Sequence, residues 1–137
     1  MRRPSIKATL GALAAILFVA VLSAALWTYA HQPADLRKRA TATGGDPRRG
    51  EAMFIQYGCG SCHALKNVRT ATGSVGPPLD GIASRAIIAG RLANNRTNME
   101  RWIRDPQHMS PGNAMPDLQV GETDARDITS FLYTRTK

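Results

Sequence analysis

The chain has 137 residues, a net charge of +8 and only 6% aromatic residues, which is enough for one domain with appendages. The charge is uneven: residues 1–44 carry six Lys or Arg against Asp35 alone, and residues 45–137 carry twelve against nine Asp or Glu. The excess flanks an apolar segment instead of forming a patch, which argues against a nucleic-acid-binding protein.

Residues 1–9 form a short basic N-terminus. Leu10 to Ala30 then runs for 21 residues without a charge, long enough to span a bilayer as a helix and longer than the usual apolar stretch of a cleaved signal. Trp27 and Tyr29 stand at its C-terminal end, where amphipathic rings favour the membrane–water interface. The alternative is a signal peptide cut after Ala25 or Ala30; an uncleaved anchor is the expectation. Three basic residues lie on either side, so charge alone does not orient the segment. Residues 31–45 lack apolar periodicity and end in Gly44-Gly45, the composition of a linker with a basic, headgroup-binding centre. His31 reads as a bystander at the interface.

The domain is expected over residues 46–137. Asp46 is a helix N-cap with Pro47 at the first helical position, and Gly50, Met53, Phe54 and Tyr57 share one face. Gly58 ends that pattern just before Cys59-Gly60-Ser61-Cys62-His63, which holds both cysteines of the chain. A Cys-x-x-Cys-His run reads as a covalent c-type haem attachment site, with a thiol for each of two vinyl groups and an imidazole for the iron. Three rival readings fit the residues less well. A redox pair expects a surrounding βαβ pattern, zinc needs two more ligands, and a disulfide here would close too short a loop to stabilise much. A domain of this size is marginal by core burial alone, and a covalently held apolar cofactor would complete its core.

Lys66 to Val75 is polar and reads as a surface loop. Gly76-Pro77-Pro78-Leu79-Asp80-Gly81 is too rich in Pro and Gly for helix or strand; it is a rigid turn or a strut against the histidine side of the haem. Ile82 to Gly90 could form a short helix. Asn98 is expected to cap a helix over Met99–Arg104, stopped by Asp105-Pro106, with Trp102 in the core. Residues 107–118 are irregular but contain His108, Met109 and Met115, and a thioether is a soft iron ligand. The last helix is expected over about Thr123 to Thr134, with Ala125, Ile128, Phe131 and Leu132 on one face. The reading is all-α, with three main helices, no credible strand and long loops facing one cofactor.

From Gly50 and Phe54 through the Cys-x-x-Cys-His run, Gly76-Pro77-x-Leu79-x-Gly81, Arg85, Trp102-Ile103-x-x-Pro106 and Pro111-Gly112-x-x-Met115-Pro116 to Phe131-Leu132, residues 45–135 resemble the mitochondrial-type (class I) cytochrome c family. Residues 84–116 look especially like the cytochrome c domain fused to subunit II of caa-type oxidases. No copper-binding domain precedes it in this sequence, so a free-standing, membrane-anchored relative is expected.

The resemblance implies the class I fold around one covalent haem c. Cys59 and Cys62 would form the thioethers and His63 would be the proximal ligand. Met115, directly before a proline, would be the distal ligand, with Met109 and His108 as weaker candidates. The Pro77 carbonyl would accept the His63 Nδ1–H, and Arg85, with Trp102 a further candidate, would face a haem propionate; a solvated surface charge is the plainer reading of Arg85. Gly50 and Phe54 would pack on Phe131.

Because c-type haem is attached outside the bacterial inner membrane, the expected topology is single-pass, with a cytoplasmic N-terminus and a periplasmic haem domain. The expected function is one-electron transport without a small-molecule substrate, from a quinol-oxidising complex or dehydrogenase to a terminal oxidase. Two alternatives stay open: a haem subunit fixed in a dehydrogenase or oxidase complex, and an open-face haem sensor or peroxidase should Met115 not bind iron.

Overall fold

The computed structural model describes residues 6–30 and 44–135. The expectations for the first five residues, for His31 and for most of the linker lie outside them. The chain divides into two units, Met1–Ala34, which contains helix α1 (Ile6–Ala30), and Asp35–Lys137.

Helix α1 runs unbroken for 25 residues through the charge-free segment, and its Ile16, Leu17, Phe18, Val21 and Leu26 are exposed. Among the described residues, no helix is long and apolar enough to cross a membrane.

In the second unit, helix α2 (Pro47–Gln56) begins where Asp46 accepts from the Arg48 and Arg49 N–H groups, with Pro47 in the first turn. Helix α3 (Arg96–Arg104) begins three residues earlier than expected. Asn95 is its N-cap, and Asn98 is inside the helix, donating its N–H to Asn95 Oδ1 at 2.9 Å. Asp105 ends α3 and caps the single turn α4 (Pro106–Met109) by accepting from the His108 N–H. Helix α5 (Glu122–Leu132) closes the unit.

The expected helix over 82–90 and the absence of strands are both corrected. Ile82–Ser84 is one 3-10 turn, after which β1 (Ile87–Ile88) pairs antiparallel with β2 (Leu92–Ala93). Ala89 and Gly90 both take positive φ between them, and Arg91 N–H bonds Ile88 O at 3.2 Å. That is the backbone of a tight primed turn, which a helix cannot contain. Helices all the same supply most of the unit's regular structure.

The core lies where α2 crosses α5. Gly50 lets the helices touch: a Cβ there would collide with the Asp127 carbonyl and crowd Phe131. One turn on, the Phe54 and Phe131 rings meet at 5.7 Å and 55°, a tilted arrangement that aromatic quadrupoles favour. Met99 and Ile103 of α3 and Ile128 and Leu132 of α5 continue this core.

Candidate functional site

Gly58 turns the chain out of α2 with a φ of 70° that disfavours a side chain. Cys59–Ser61 then forms a 3-10 turn, and the His63 N–H reaches back to Cys59 O at 3.0 Å. This winding sets Cys59 and His63 on the wall of one cleft, whose lining does not include Cys62. A second layer of backbone clamps it. Gly73 N–H bonds Gly60 O at 3.0 Å and Gly76 N–H bonds Cys62 O at 2.8 Å. Gly60 packs so tightly on Ala71 that a Cβ would lie 2.7 Å from the Ala71 Cα. The segment 66–75, polar in composition, therefore buries Ala71 against the Cys59–His63 turn. Hydropathy could not show this, because the contact is made by two glycines and an alanine.

His63 Nδ1 lies 2.8 Å from Pro77 O. A carbonyl only accepts, so Nδ1 carries the proton and Nε2 keeps its lone pair for a metal. The Pro77 segment is itself held down: Arg85 Nη2 donates to Pro78 O at 2.6 Å and to Asp80 O at 3.0 Å, and Leu79 N–H bonds Ala64 O at 2.8 Å.

His63 and Met115 line one cleft of about 420 Å³, together with Cys59, Pro77, Arg85 and Trp102. The rest of its wall is largely aliphatic, including Leu79, Ile82, Ile88 and Val120. Trp102, expected in the core, is only half-buried and faces this cleft. Arg85 reaches the same wall while holding the strut carbonyls. Met109 and His108 line a different hollow of about 460 Å³, beside Arg101 and Arg104. The cleft thus has an imidazole nitrogen, a thioether sulfur and a cysteine on otherwise apolar walls. That donor set fits haem iron, and the apolar surround fits a porphyrin. Among the described residues, no group of three or more His, Cys, Asp or Glu is placed to hold a metal ion.

Burial pushes the Cys59 thiol up to about 11, with Cys62 adding a smaller push in the same direction. A redox pair needs an accessible thiolate at neutral pH, so the environment of Cys59 opposes thiol–disulfide chemistry. A half-buried neutral sulfur beside an apolar cleft suits a thioether.

Comparison with known proteins gives the same picture. A family model described as cytochrome c matches residues 47–136. The chain is 38% identical over 85 residues to "Cytochrome c oxidase subunit 2" of Alkalihalophilus pseudofirmus, covering 61% of this chain and 24% of that protein. It is 32% identical over 93 residues to the protein of the same name in Bacillus subtilis, covering 64% and 26%. A third, from Bacillus sp. PS3, is 36% identical over 101 residues, covering 71% and 28%. The chain thus spans about a quarter of the length of these relatives. No solved structure matches.

Proposed function

The chain belongs to the cytochrome c family, and from that premise we propose that it is a membrane-tethered, mono-haem carrier of single electrons. The observation that carries the reading is the pairing of His63 with Met115 on the walls of one apolar cleft. When bound, haem c supplies a one-electron iron couple.

Each part of the chain has a task in that reading. Cys59 and Cys62 would hold the ring by thioethers. His63, its Nδ1–H engaged by Pro77, would offer Nε2 to the iron, and Met115 would offer its sulfur. With both residues bound, no coordination site would be left for substrate activation, so the protein would transfer electrons without being an enzyme itself. A thioether opposite an imidazole raises the reduction potential above that of a pair of nitrogen ligands. The aliphatic walls exclude water and raise it further. Arg85 and Trp102 line the rim as candidates for the propionates.

In this proposal residues 10–30 anchor the chain in the bacterial inner membrane, residues 31–45 are the tether, and the domain over 46–137 works in the periplasm. The support is the 21-residue run without a charge from Leu10 to Ala30, which is basic on either side; among the described residues the structure itself has no helix long and apolar enough to cross a membrane. The donor would be a quinol-oxidising complex or dehydrogenase and the acceptor a terminal oxidase. The relatives, each a cytochrome c oxidase subunit 2, favour a second form of the same reading, a haem subunit held permanently in an oxidase.

The test is a visible spectrum with CO challenge on membrane and soluble fractions of cells that attach haem. Expected is a c-type spectrum in the membrane fraction, with a weak sulfur-to-iron band when oxidised and little CO uptake when reduced. Rapid CO uptake without that band would replace the carrier by an open-face haem protein. Colourless protein with two titratable thiols would exclude haem. Gentle solubilisation separates the remaining forms, since a fixed subunit co-purifies with its oxidase.

A further inference from the structure

We propose that Gln107 and Asn113 are positioning residues that lock the backbone on both sides of Met115, and so control whether the distal position opens to an external ligand. The inference rests on the proposal that Met115 binds the iron.

The loop from α4 to α5 has no regular hydrogen bonding of its own to fix Met115. Two side-chain amides replace it. Asn113 Oδ1 accepts the Met115 N–H at 2.7 Å, and Gln107 Nε2 donates to Met115 O at 2.7 Å. Both peptide groups of Met115 are therefore held by side chains. The clamp is cross-braced. Gln107 Nε2 also donates to Asn113 O at 2.9 Å, and its Oε1 accepts the Gly112 N–H at 3.2 Å. Asn113 Nδ2 donates to Pro106 O at 2.8 Å and Ser110 O at 2.6 Å, which ties the loop to α4.

Each amide thus has its NH₂ on two carbonyls and its oxygen on an N–H, so neither can be flipped without losing every bond. Both side chains are half-buried, where such bonds are less exposed to competing water. A thioether is a neutral, weak ligand on a flexible stem. Its hold on a metal depends on how little freedom the backbone beneath it retains, because free motion must be given up on binding. A loop fixed at the ligand's own N–H and C=O has already lost that freedom.

The test uses the full-length holoprotein and two isosteric variants, Gln107→Glu and Asn113→Asp. Gln107→Glu keeps the acceptor for Gly112 but removes the donor to Met115 O and sets a carboxylate against two carbonyls. Asn113→Asp keeps the acceptor for the Met115 N–H but removes the brace and sets a carboxylate oxygen against the Pro106 and Ser110 carbonyls, away from the Met115 peptide groups themselves. The reduced proteins are titrated with CO, and the sulfur-to-iron band of the oxidised proteins is followed in urea beside far-UV circular dichroism. Gln107→Glu is expected to raise CO affinity about tenfold or more, the effect of one buried hydrogen bond. It should also lose the sulfur-to-iron band well before the helices melt, with Asn113→Asp smaller on both counts.

Unchanged CO affinity in Gln107→Glu, with the wild-type band present, overturns the clamp and leaves Met115 ligation standing. A band and helices that fail together at lower urea would make the two residues merely structural, which also overturns it. Wild-type protein without the band fails the ligation reading and the clamp with it. Hydrogen exchange on the wild type needs no variant: protected Met115 and Gly112 amides support the clamp, and amides exchanging at free-peptide rates refute it.

Discussion

Gly76 passes so close to His63 that a methyl group on its Cα would collide with the imidazole at Cε1, Nδ1 and Nε2. The missing side chain lets the strut lie against the ring and lets Pro77 O reach His63 Nδ1. Gly76→Ala must push the ring or the strut aside. Overpacking of this kind costs about 1–3 kcal/mol, and here the displaced group is the histidine of the attachment motif. The expected outcome is lower stability in urea together with a lower yield of attached haem. Val75→Ala, at a neighbouring side chain that is 72% exposed, should change stability by less than about 0.5 kcal/mol. Equal behaviour of the two variants would show that the close approach is not needed.

The contact between α2 and α5 makes a second prediction. Phe54 is 1% exposed and meets Phe131 across the crossing. Truncation by Phe54→Ala should destabilise by about 3–5 kcal/mol through lost burial and the cavity left behind. Gly50→Ala acts at the same crossing from the opposite direction, by forcing the helices apart. Because both changes act on one contact, the double variant should lose less than the two singles added together. Chemical denaturation of the four proteins measures this, and strict additivity would mean that the two positions do not share a contact.

How legible each element was depends on whether its cause was local. Asp46-Pro47 announces α2 through capping chemistry confined to three residues, and the apolar spacing of α5 is carried by one helix face. Asn95 and Asn98 are equally good caps by residue type, so only the backbone decides where α3 starts. The hairpin leaves little trace in the sequence, because its ladder is two residues long and its turn uses Ala89, a poor residue for positive φ, before Gly90. The candidate site divides the same way. The spacing from Cys59 to His63 is visible in the chain, whereas the separation of Met115 from Met109 and His108 is a tertiary fact, since the latter two line another hollow. Gln107 and Asn113 carry no motif at all. Their partners are backbone groups, which leave no mark on residue identity.

Alkaline pH offers a third prediction. Tyr133 donates to Asn94 Oδ1 at 3.0 Å, and burial, with a smaller push from Glu100, raises its hydroxyl from 10.0 to about 12. Tyr57 is raised as well, chiefly by its hydrogen bond to Asp124. In the folded protein these groups hold their protons after the unfolded chain has begun to release them. Their contribution is therefore complete below pH 10 and is lost as pH climbs toward about 12. Urea midpoints should fall across that window, and Tyr133→Phe should flatten the fall while removing about 1 kcal/mol at neutral pH with its hydrogen bond. Parallel curves for the two proteins would clear Tyr133 of any part in it.

Asp127 makes the last prediction, because it joins the beginning of the domain to its end. Asp127 is buried on α5, 3% exposed, and its carboxylate accepts the Asp46 N–H at 2.8 Å and the Arg49 Nε–H. Ser130, one turn further, donates to Gly45 O at 3.0 Å. These bonds hold the N-terminal end of α2 on the last helix. Asp127→Ala strands a backbone donor and a guanidinium, and should cost about 2–3 kcal/mol. Asp127→Asn retains an acceptor for the Asp46 N–H and should cost less. Arg49 is 48% exposed, so water screens its share of the pair; Arg49→Gln should cost only about 0–1 kcal/mol. The expected order of destabilisation in urea is therefore Ala, then Asn, then the arginine variant. If Arg49→Gln proved as damaging as Asp127→Ala, the ion pair would be the source of the stability, and the bond to the Asp46 N–H would be incidental.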